Sequence, residues 1–308
     1  MSDDVSLVQL EYFRAVVRRG SLTKAAEALN VTQPTLSAAV ARLEGTYGVK
    51  LLARIPRKGV EPTLAGRRLM KALEPLLDTA RGLGGVARGS EEPLEGELSV
   101  GVYAPLAPIY SAALLTQAAE RLPLLDIRLS EGDLESLPEA LKRGQLDLAI
   151  MYDDGLDTAL GVHPLGKLRP HVVVAEDHHL ARSGQQSVSL RALADEPAVL
   201  LASPHSLSRY TDFFRMVGVT PTIRHTSQNY EVIRSYVAAG LGYSILHHQH
   251  QTLETHSGRR IVPLRIEEEL PEAALCLVSP EPAPLSAKAQ AFKTLVSGIV
   301  GTLAGPAK

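Results

Sequence analysis

A winged helix-turn-helix head, a long linker helix and a two-lobed α/β body are the architecture predicted for this 308-residue chain. Three observations predict it: cap and turn residues between positions 20 and 37, an apolar stripe at helical spacing from 64 to 83, and strands alternating with helices from 98 onward. Charge divides the chain along the same lines. Residues 1–90 hold fourteen Lys and Arg against eight Asp and Glu, a balance of +6, whereas the remaining 218 carry −8. A polyanion is drawn to the first part and repelled by the second, and phosphate contacts supply most sequence-independent affinity for nucleic acid.

Within the head, Ser21 or Thr23 can cap a helix, and Ala25-Ala26 lets a second helix cross close to it. Asn30 tolerates the left-handed conformation that closes a tight turn. Thr32 is a good N-cap, and Pro34 is accepted in a first turn whose N–H groups lack partners. Leu36, Val40 and Leu43 then form one apolar stripe, leaving Gln33, Thr35 and Ser37 outward near the helix start. From that position a recognition helix reads base edges in the major groove, so double-stranded DNA is the expected partner. Downstream, short apolar runs flank Pro56-Arg57-Lys58-Gly59, the pattern of a two-stranded wing with a basic tip. Arg54, Arg57 and Lys58 are candidates for phosphate or minor-groove contact, although a plain solvated loop also exposes such residues.

From Thr63, a natural cap, Leu64, Leu69, Leu73, Leu76, Leu77, Ala80 and Leu83 recur at helical spacing. A lone helix has little of its own domain to bury this stripe against, so a partner helix from a second chain is expected, with folding onto its own core as the alternative. Pro75 should kink or break the helix, and Gly82, Gly84 and Gly85 weaken its end. A polar hinge follows at 89–96. The expected divisions are therefore 1–62, 63–96 and 97–308.

In the body, apolar strands at 98–102, 125–129 and 147–151 alternate with helical segments, implying a parallel sheet with right-handed crossovers. Further strands are expected at 171–175, 198–201, 222–225, 243–246 and 274–278. About 210 residues of this kind exceed one typical sheet domain and predict two lobes.

The head closely resembles the DNA-binding domain of LysR-type transcriptional regulators. The resemblance rests on Tyr12-Phe13, Gly20-Ser21, Ala25-Ala26, Thr32-Gln33-Pro34, Ser37, Leu43-Glu44, Gly48, Leu51, Arg54, Thr63 and Gly66 in order. It departs from the family at Ala38-Ala39, Ala41 and Leu52, where longer polar residues, a basic residue and Phe are usual. Base reading is thereby narrowed to Gln33, Thr35 and Ser37, with Thr32 and Pro34 beside them in the DNA-binding set, Arg42 as a phosphate candidate and DNA shape supplying part of the specificity. The likeness continues in the body through Gly144-Gln145-Leu146-Asp147-Leu148-Ala149-Ile150 and Val237-Ala238-Ala239-Gly240-Leu241-Gly242. It also includes Asp177-His178-His179-Leu180-Ala181, where His179 stands in the place of the family's proline.

What this resemblance implies is a periplasmic-binding-protein-like effector domain, with lobe one at 97–158 and 267–303 and lobe two at 159–266. It also implies a homodimer, paired into a homotetramer, and leaves RNA polymerase open as a further partner. Ligands of open α/β sheets bind beyond the carboxyl ends of the strands. That rule selects Tyr103, Ala104, Pro105, Glu131, Ser203, Pro204, His205 and Ser206, and the family adds Asn229 and Tyr230. A small organic acid or aromatic metabolite is the expected effector; a ligand-independent regulator is the alternative.

Other signals carry less. Asp153, Asp154 and Asp157 fall where the first lobe crossing is expected and read as a solvated loop. His247, His248 and His250, with His256 nearby, lack the spacing of a metal set, and no cofactor or metal is expected. Cys276, the single cysteine, lies in an apolar strand and offers no disulfide for a thiol switch. No signal peptide or membrane-length apolar run is found, so a cytoplasmic, non-enzymatic regulator is expected, ahead of a ligand-binding protein without DNA function and of an enzyme.

Overall fold

The computed structural model describes residues 5–55, 59–88, 94–203, 205–248, 252–282 and 285–303. Helix α1 (Leu7–Arg19) begins with a capping box in which Ser6 and Gln9 each satisfy the other's backbone N–H, and it ends at Gly20 with φ 61°. Ser21 caps α2 (Leu22–Ala28) by accepting the Lys24 N–H. Asn30 closes the turn at φ 53°, and Thr32 caps α3 (Gln33–Tyr47) by accepting the Thr35 N–H. Phe13, Val16, Val17, Ala25, Leu36 and Leu43 are fully buried, and the three helices close over two small apolar clusters. The wing pairs β1 (Leu52–Ile55) antiparallel with β2 (Gly59–Pro62). Its expected basic tip, including Arg57 and Lys58, lies outside the described residues.

Thr63 accepts the Gly66 N–H at 3.1 Å and donates to the Lys50 carbonyl at 2.7 Å, which launches α4 (Leu64–Arg88). This helix runs through position 75 as one element, so Pro75 does not break it. The first half of its stripe follows the alternative expectation of folding onto its own core. Met70, Leu73 and Leu77 are buried in the head's own cluster with Leu10, Phe13, Val17, Leu43 and Leu51. The chain ahead of the helix thus supplies a surface that the helical spacing alone did not reveal. Leu64 and Leu76 stay 57% and 48% exposed.

The first lobe is a five-stranded sheet in the order β4-β3-β5-β13-β6. Its strands are β3 (Gly96–Tyr103), β4 (Leu125–Gly132), β5 (Leu148–Tyr152), β6 (Gly161–Leu168) and β13 (Ala273–Ser279), with α5 (Ala107–Arg121), α6 (Ser136–Lys142) and α10 (Ala287–Leu303) packed around them. β4 and β5 lie parallel to β3, while β13 runs antiparallel to both β5 and β6. Strand β6 corrects the expected lobe boundary. It completes the first sheet by pairing with β13, so the crossing into lobe two comes after Leu168 rather than after residue 158.

The second lobe holds β7 (His171–Ala175), the short α7 (His179–Arg182), β8 (Ser187–Val188), a 3₁₀ turn at Leu190–Leu193, β9 (Pro197–Leu201), α8 (Ser206–Met216), β10 (Thr222–Ser227), α9 (Tyr230–Ala238), β11 (Ser244–Leu246) and β12 (Ile261–Ile266). The order β11-β7-β12-β8 joins the parallel pair β10-β9 through a bridge between Ala198 and Tyr243. Each lobe has its own buried apolar cluster, so the two are separate folding layers meeting at a cleft. Among the described residues no helix is long and apolar enough to cross a membrane.

The head rests on lobe one. Arg18, whose side chain is only 6% exposed, donates two hydrogen bonds to the Asp147 carboxylate at 2.9 and 2.5 Å and one to the Ser99 hydroxyl at 2.8 Å. Arg143 reaches Glu61 of the wing at 3.5 Å, and Lys71 of α4 pairs with Glu281.

Candidate DNA-binding surface and inter-lobe cleft

The start of α3 presents Thr32, Gln33, Pro34 and Thr35 to solvent, with Ser37 half-buried one turn further on. Leu36 and Val40 hold the opposite face in the core, which sets the rotation of the helix about its axis. Arg42 and Arg54 are exposed as well. Glu44, at the far end of α3, accepts the N–H groups of Leu51 at 2.9 Å and Leu52 at 3.1 Å, and Lys50 donates to it at 2.6 Å. Burial opposes ionisation of this carboxyl, but the Lys50 and backbone donors outweigh it and hold its pKa below the ordinary value. One side chain thereby ties the wing to the recognition helix, a role that the sequence pattern Leu43-Glu44 did not disclose.

The cleft lies where β3, β5 and β9 end. Tyr103 of lobe one meets Ser203 and Ser206 of lobe two, each hydroxyl pair at 2.9 Å, and the two serines are 2.7 Å apart. All three are buried. Pro105 and Tyr230 line the same space, and the Tyr230 hydroxyl donates to the His248 carbonyl at 2.7 Å. Other expected residues have different places. Asn229 caps α9 by accepting two backbone N–H groups. Glu131 and Ala104 are exposed and do not line the cleft. His205 sits at its rim in a left-handed conformation, φ 66°, 3.9 Å from Glu135 across the lobes. Pro204 lies outside the described residues.

Several wall residues escaped the sequence reading: Tyr152, Asp154, Arg209, Tyr210 and His247. Arg209 pairs with Asp154 and lies 5.7 Å over the Tyr152 ring, so Asp154 belongs to the inter-lobe contact rather than to a solvated crossing loop. His247 stacks on Tyr210 at 5.6 Å, with its Nδ1 3.4 Å from the Tyr210 hydroxyl. Burial, reinforced by Arg209 and His171, pushes His247 down to about 3, so it is neutral at ordinary pH. Among the described residues its buried Nε2 has no hydrogen-bond partner. Burial also raises Tyr103, Tyr152, Tyr210 and Tyr230, leaving Arg209 and Asp154 as the charged groups of this wall. As it stands the inner space, about 10 Å³, holds at most one water. Beyond the Arg209–Asp154 pair a wider cavity of 380 Å³ opens toward Asp212, Met216 and Glu272.

His248 points its ring at Tyr110, 5.3 Å away, whereas His247 stacks on Tyr210; His250 is outside the described residues. Cys276 is buried in β13, and burial pushes its thiol up to about 11. Such a thiol holds little thiolate at neutral pH and is a poor nucleophile.

Comparison with known proteins agrees with this geometry. Residues 7–67 match the family model for the bacterial regulatory helix-turn-helix protein of the lysR family, and residues 91–298 match the LysR substrate binding domain. The RuBisCO operon transcriptional regulator of Allochromatium vinosum is 32% identical over 305 residues, spanning 95% of each chain. A probable hydrogen peroxide-inducible genes activator of Mycobacterium leprae is 33% identical over 249 residues, spanning 78% of this chain and 77% of that protein. The crystal structure of HinK, a LysR family transcriptional regulator from Pseudomonas aeruginosa, superposes with a TM-score of 0.65 at 30% identity, over 97% of this chain and 100% of that one. With both domains matched and the fold shared over its whole length, the chain belongs to the LysR family of DNA-binding transcriptional regulators with a small-molecule effector domain.

Proposed function

We propose that the chain binds double-stranded operator DNA through the start of α3 and the wing, and that a small carboxylate-bearing effector enters the inter-lobe cleft. Thr32, Gln33, Pro34, Thr35 and Ser37 would face base edges, while Arg42, Arg54, Arg57 and Lys58 would meet phosphates. The observation that carries the effector half is His247. A buried nitrogen left without a partner costs about 1–3 kcal/mol, a cost that a ligand's hydrogen-bonding group removes. Arg209 beside it supplies the positive charge for a carboxylate, which would compete with Asp154, and Tyr103, Tyr152, Tyr210 and Tyr230 supply walls for an apolar or aromatic body.

Tyr103, Ser203 and Ser206 close the cleft from opposite lobes, so an effector that replaces their mutual hydrogen bonds favours a different lobe angle. Only such differential affinity can shift the protein between states. Among the described residues, Ser203 and Ser206 bond through their side chains to Tyr103 and to each other, the pairing that an effector would have to replace. A homodimer, further paired into a homotetramer, would set two heads on successive half-sites, with Leu64 and Leu76 of α4 available to the contact. RNA polymerase is the further partner such a regulator addresses, and a DNA target sets its place of action in the cytoplasm.

One observation favours the ligand-independent alternative, namely the near absence of free space in the inner cleft. A panel of aliphatic and aromatic carboxylates, scored by thermal shift on the full chain and on Arg209→Ala, separates the two. A stabilising acid whose effect disappears in Arg209→Ala supports the effector site. No shift from any acid supports ligand independence.

A further inference from the structure

Away from both surfaces, lobe two gathers three metal-ligating side chains at one point. His178 Nε2 lies 2.8 Å from one oxygen of Glu196, and His179 Nε2 lies 2.9 Å from the other. The ligating atoms of all three fall within 4.8 Å of one another. The two imidazole rings lie 4.4 Å apart at 33°, so adjacent histidines, which usually diverge, here turn to one point. The local backbone explains this. His178 is the N-cap of α7 in extended conformation, while His179 is the first helical residue, so the chain changes direction between them. Glu196 comes from the other side, immediately before β9.

The chemistry of the set is specific. A carboxylate only accepts, so each ring must present an N–H to it, and His178 Nδ1 accepts the Leu180 N–H at 3.4 Å, which is consistent with a proton on Nε2. Two N–H groups converging on one carboxylate occupy the place of a shared cation. A tetrahedral zinc with Zn–N of about 2.0–2.1 Å sets its ligand atoms about 3.3 Å apart. The two N···O separations, 2.8 and 2.9 Å, lie about 0.5 Å below that value and the two ring nitrogens lie within 4.8 Å of each other, so side-chain adjustments bring the set onto an ion, at the expense of the long Leu180 contact when the His178 proton moves to Nδ1. His178 and Glu196 are 18% and 26% exposed, which holds two ligands in place, while His179 at 69% leaves the outer positions open to water. Imidazole with carboxylate suits zinc, nickel or cobalt rather than calcium or magnesium.

From this geometry we infer that His178, His179 and Glu196 form a binding site for a divalent transition-metal ion of the zinc class. It is distinct from the effector cleft: Glu196 precedes the first residue of β9, and Ser203 follows its last, a separation of about 20 Å along an extended strand. The strand also connects the two places, so an ion here bears on the same lobe that the effector contacts.

The test is isothermal titration of Zn²⁺ into the full chain, with the absorption spectrum of Co²⁺ as an independent readout of nitrogen and oxygen ligation. One ion per chain with a micromolar or tighter Kd is expected. His179→Pro and Glu196→Gln should each weaken binding at least about tenfold, whereas His256→Ala should leave it unchanged. Proline is accepted at the first position of a helix, so His179→Pro removes a ligand with the fold kept, and His179→Gln serves as a second variant if its melting curve shifts. Absence of binding at hundred-micromolar zinc, or equal binding by wild type, His179→Pro and Glu196→Gln, would overturn the site and leave a hydrogen-bonded clamp.

Discussion

Arg18 and Asp147, 129 residues apart in the chain, meet in a two-pronged ion pair that fastens the DNA-binding head to lobe one. Breaking a buried pair by removing one partner typically costs about 3–5 kcal/mol, because the other charge is left without compensation. Asp147→Ala is therefore expected to lower the thermal midpoint and to free the head, while the exchange Arg18→Asp with Asp147→Arg restores part of the loss. Calorimetry of wild type, Asp147→Ala, Arg18→Asp, Asp147→Arg and the exchanged pair checks this, the last three closing a double-mutant cycle with wild type.

The same pair predicts a pH response. Burial raises the Asp147 pKa, but Arg18, assisted by Lys288 and the Ser99 N–H, outweighs it and holds the carboxyl below its ordinary value. A depressed folded pKa contributes stability that is complete above the unfolded value of about 3.9 and is lost as pH falls through the folded pKa. Wild type should lose stability below about pH 4, and Asp147→Asn should show a flatter slope there. Urea midpoints from pH 6 to pH 3 provide the comparison.

At Gly66 the head and linker come too close for a side chain. A Cβ there would lie 2.1 Å from the Leu51 carbonyl oxygen. Gly66→Ala should force the first turn of α4 away from the wing and cost a few kcal/mol, as overpacking does. Circular dichroism melts should show a clear fall in midpoint, whereas Gly45→Ala, with open space around it, should change little.

The cleft and the cysteine make opposite predictions. Arg209→Ala should weaken an activating carboxylate by roughly tenfold to a hundredfold, as expected for loss of a charge-assisted hydrogen bond worth about 1.5–3 kcal/mol. His247→Phe should abolish the polar part of that binding while keeping the stack on Tyr210. Cys276→Ser should leave operator binding insensitive to peroxide, as in wild type, since its buried thiol stays protonated. A peroxide-dependent footprint lost in Cys276→Ser would contradict that statement.

Local chemistry made the head legible in the sequence. Ser21, Asn30 and Thr32 act within a few residues of themselves, and the structure shows each in the cap or turn that its side chain favours. Long-range pairing was not legible. Strand β6 contains Gly161, Pro164 and Gly166, which disguise it as a loop until β13 is seen beside it. Arg209 and His247 enter the cleft from separate elements, and the linker stripe left open whether Leu73 and Leu77 face a second chain or their own head, where Met70 joins them. The cleft was readable only as the loops after strands, which is why Tyr103, Ser203 and Ser206 were identified while Tyr152 and Tyr210 were not.

The most direct measurement is binding of the full chain to the DNA upstream of its own gene, titrated with salt, alongside Gln33→Ala and Arg54→Ala. A protected operator is expected. Gln33→Ala should lose sequence discrimination with the salt slope kept, and Arg54→Ala should lower the slope by about one. No protection even at low salt, or a Gln33→Ala footprint identical to wild type, would contradict base reading by the start of α3.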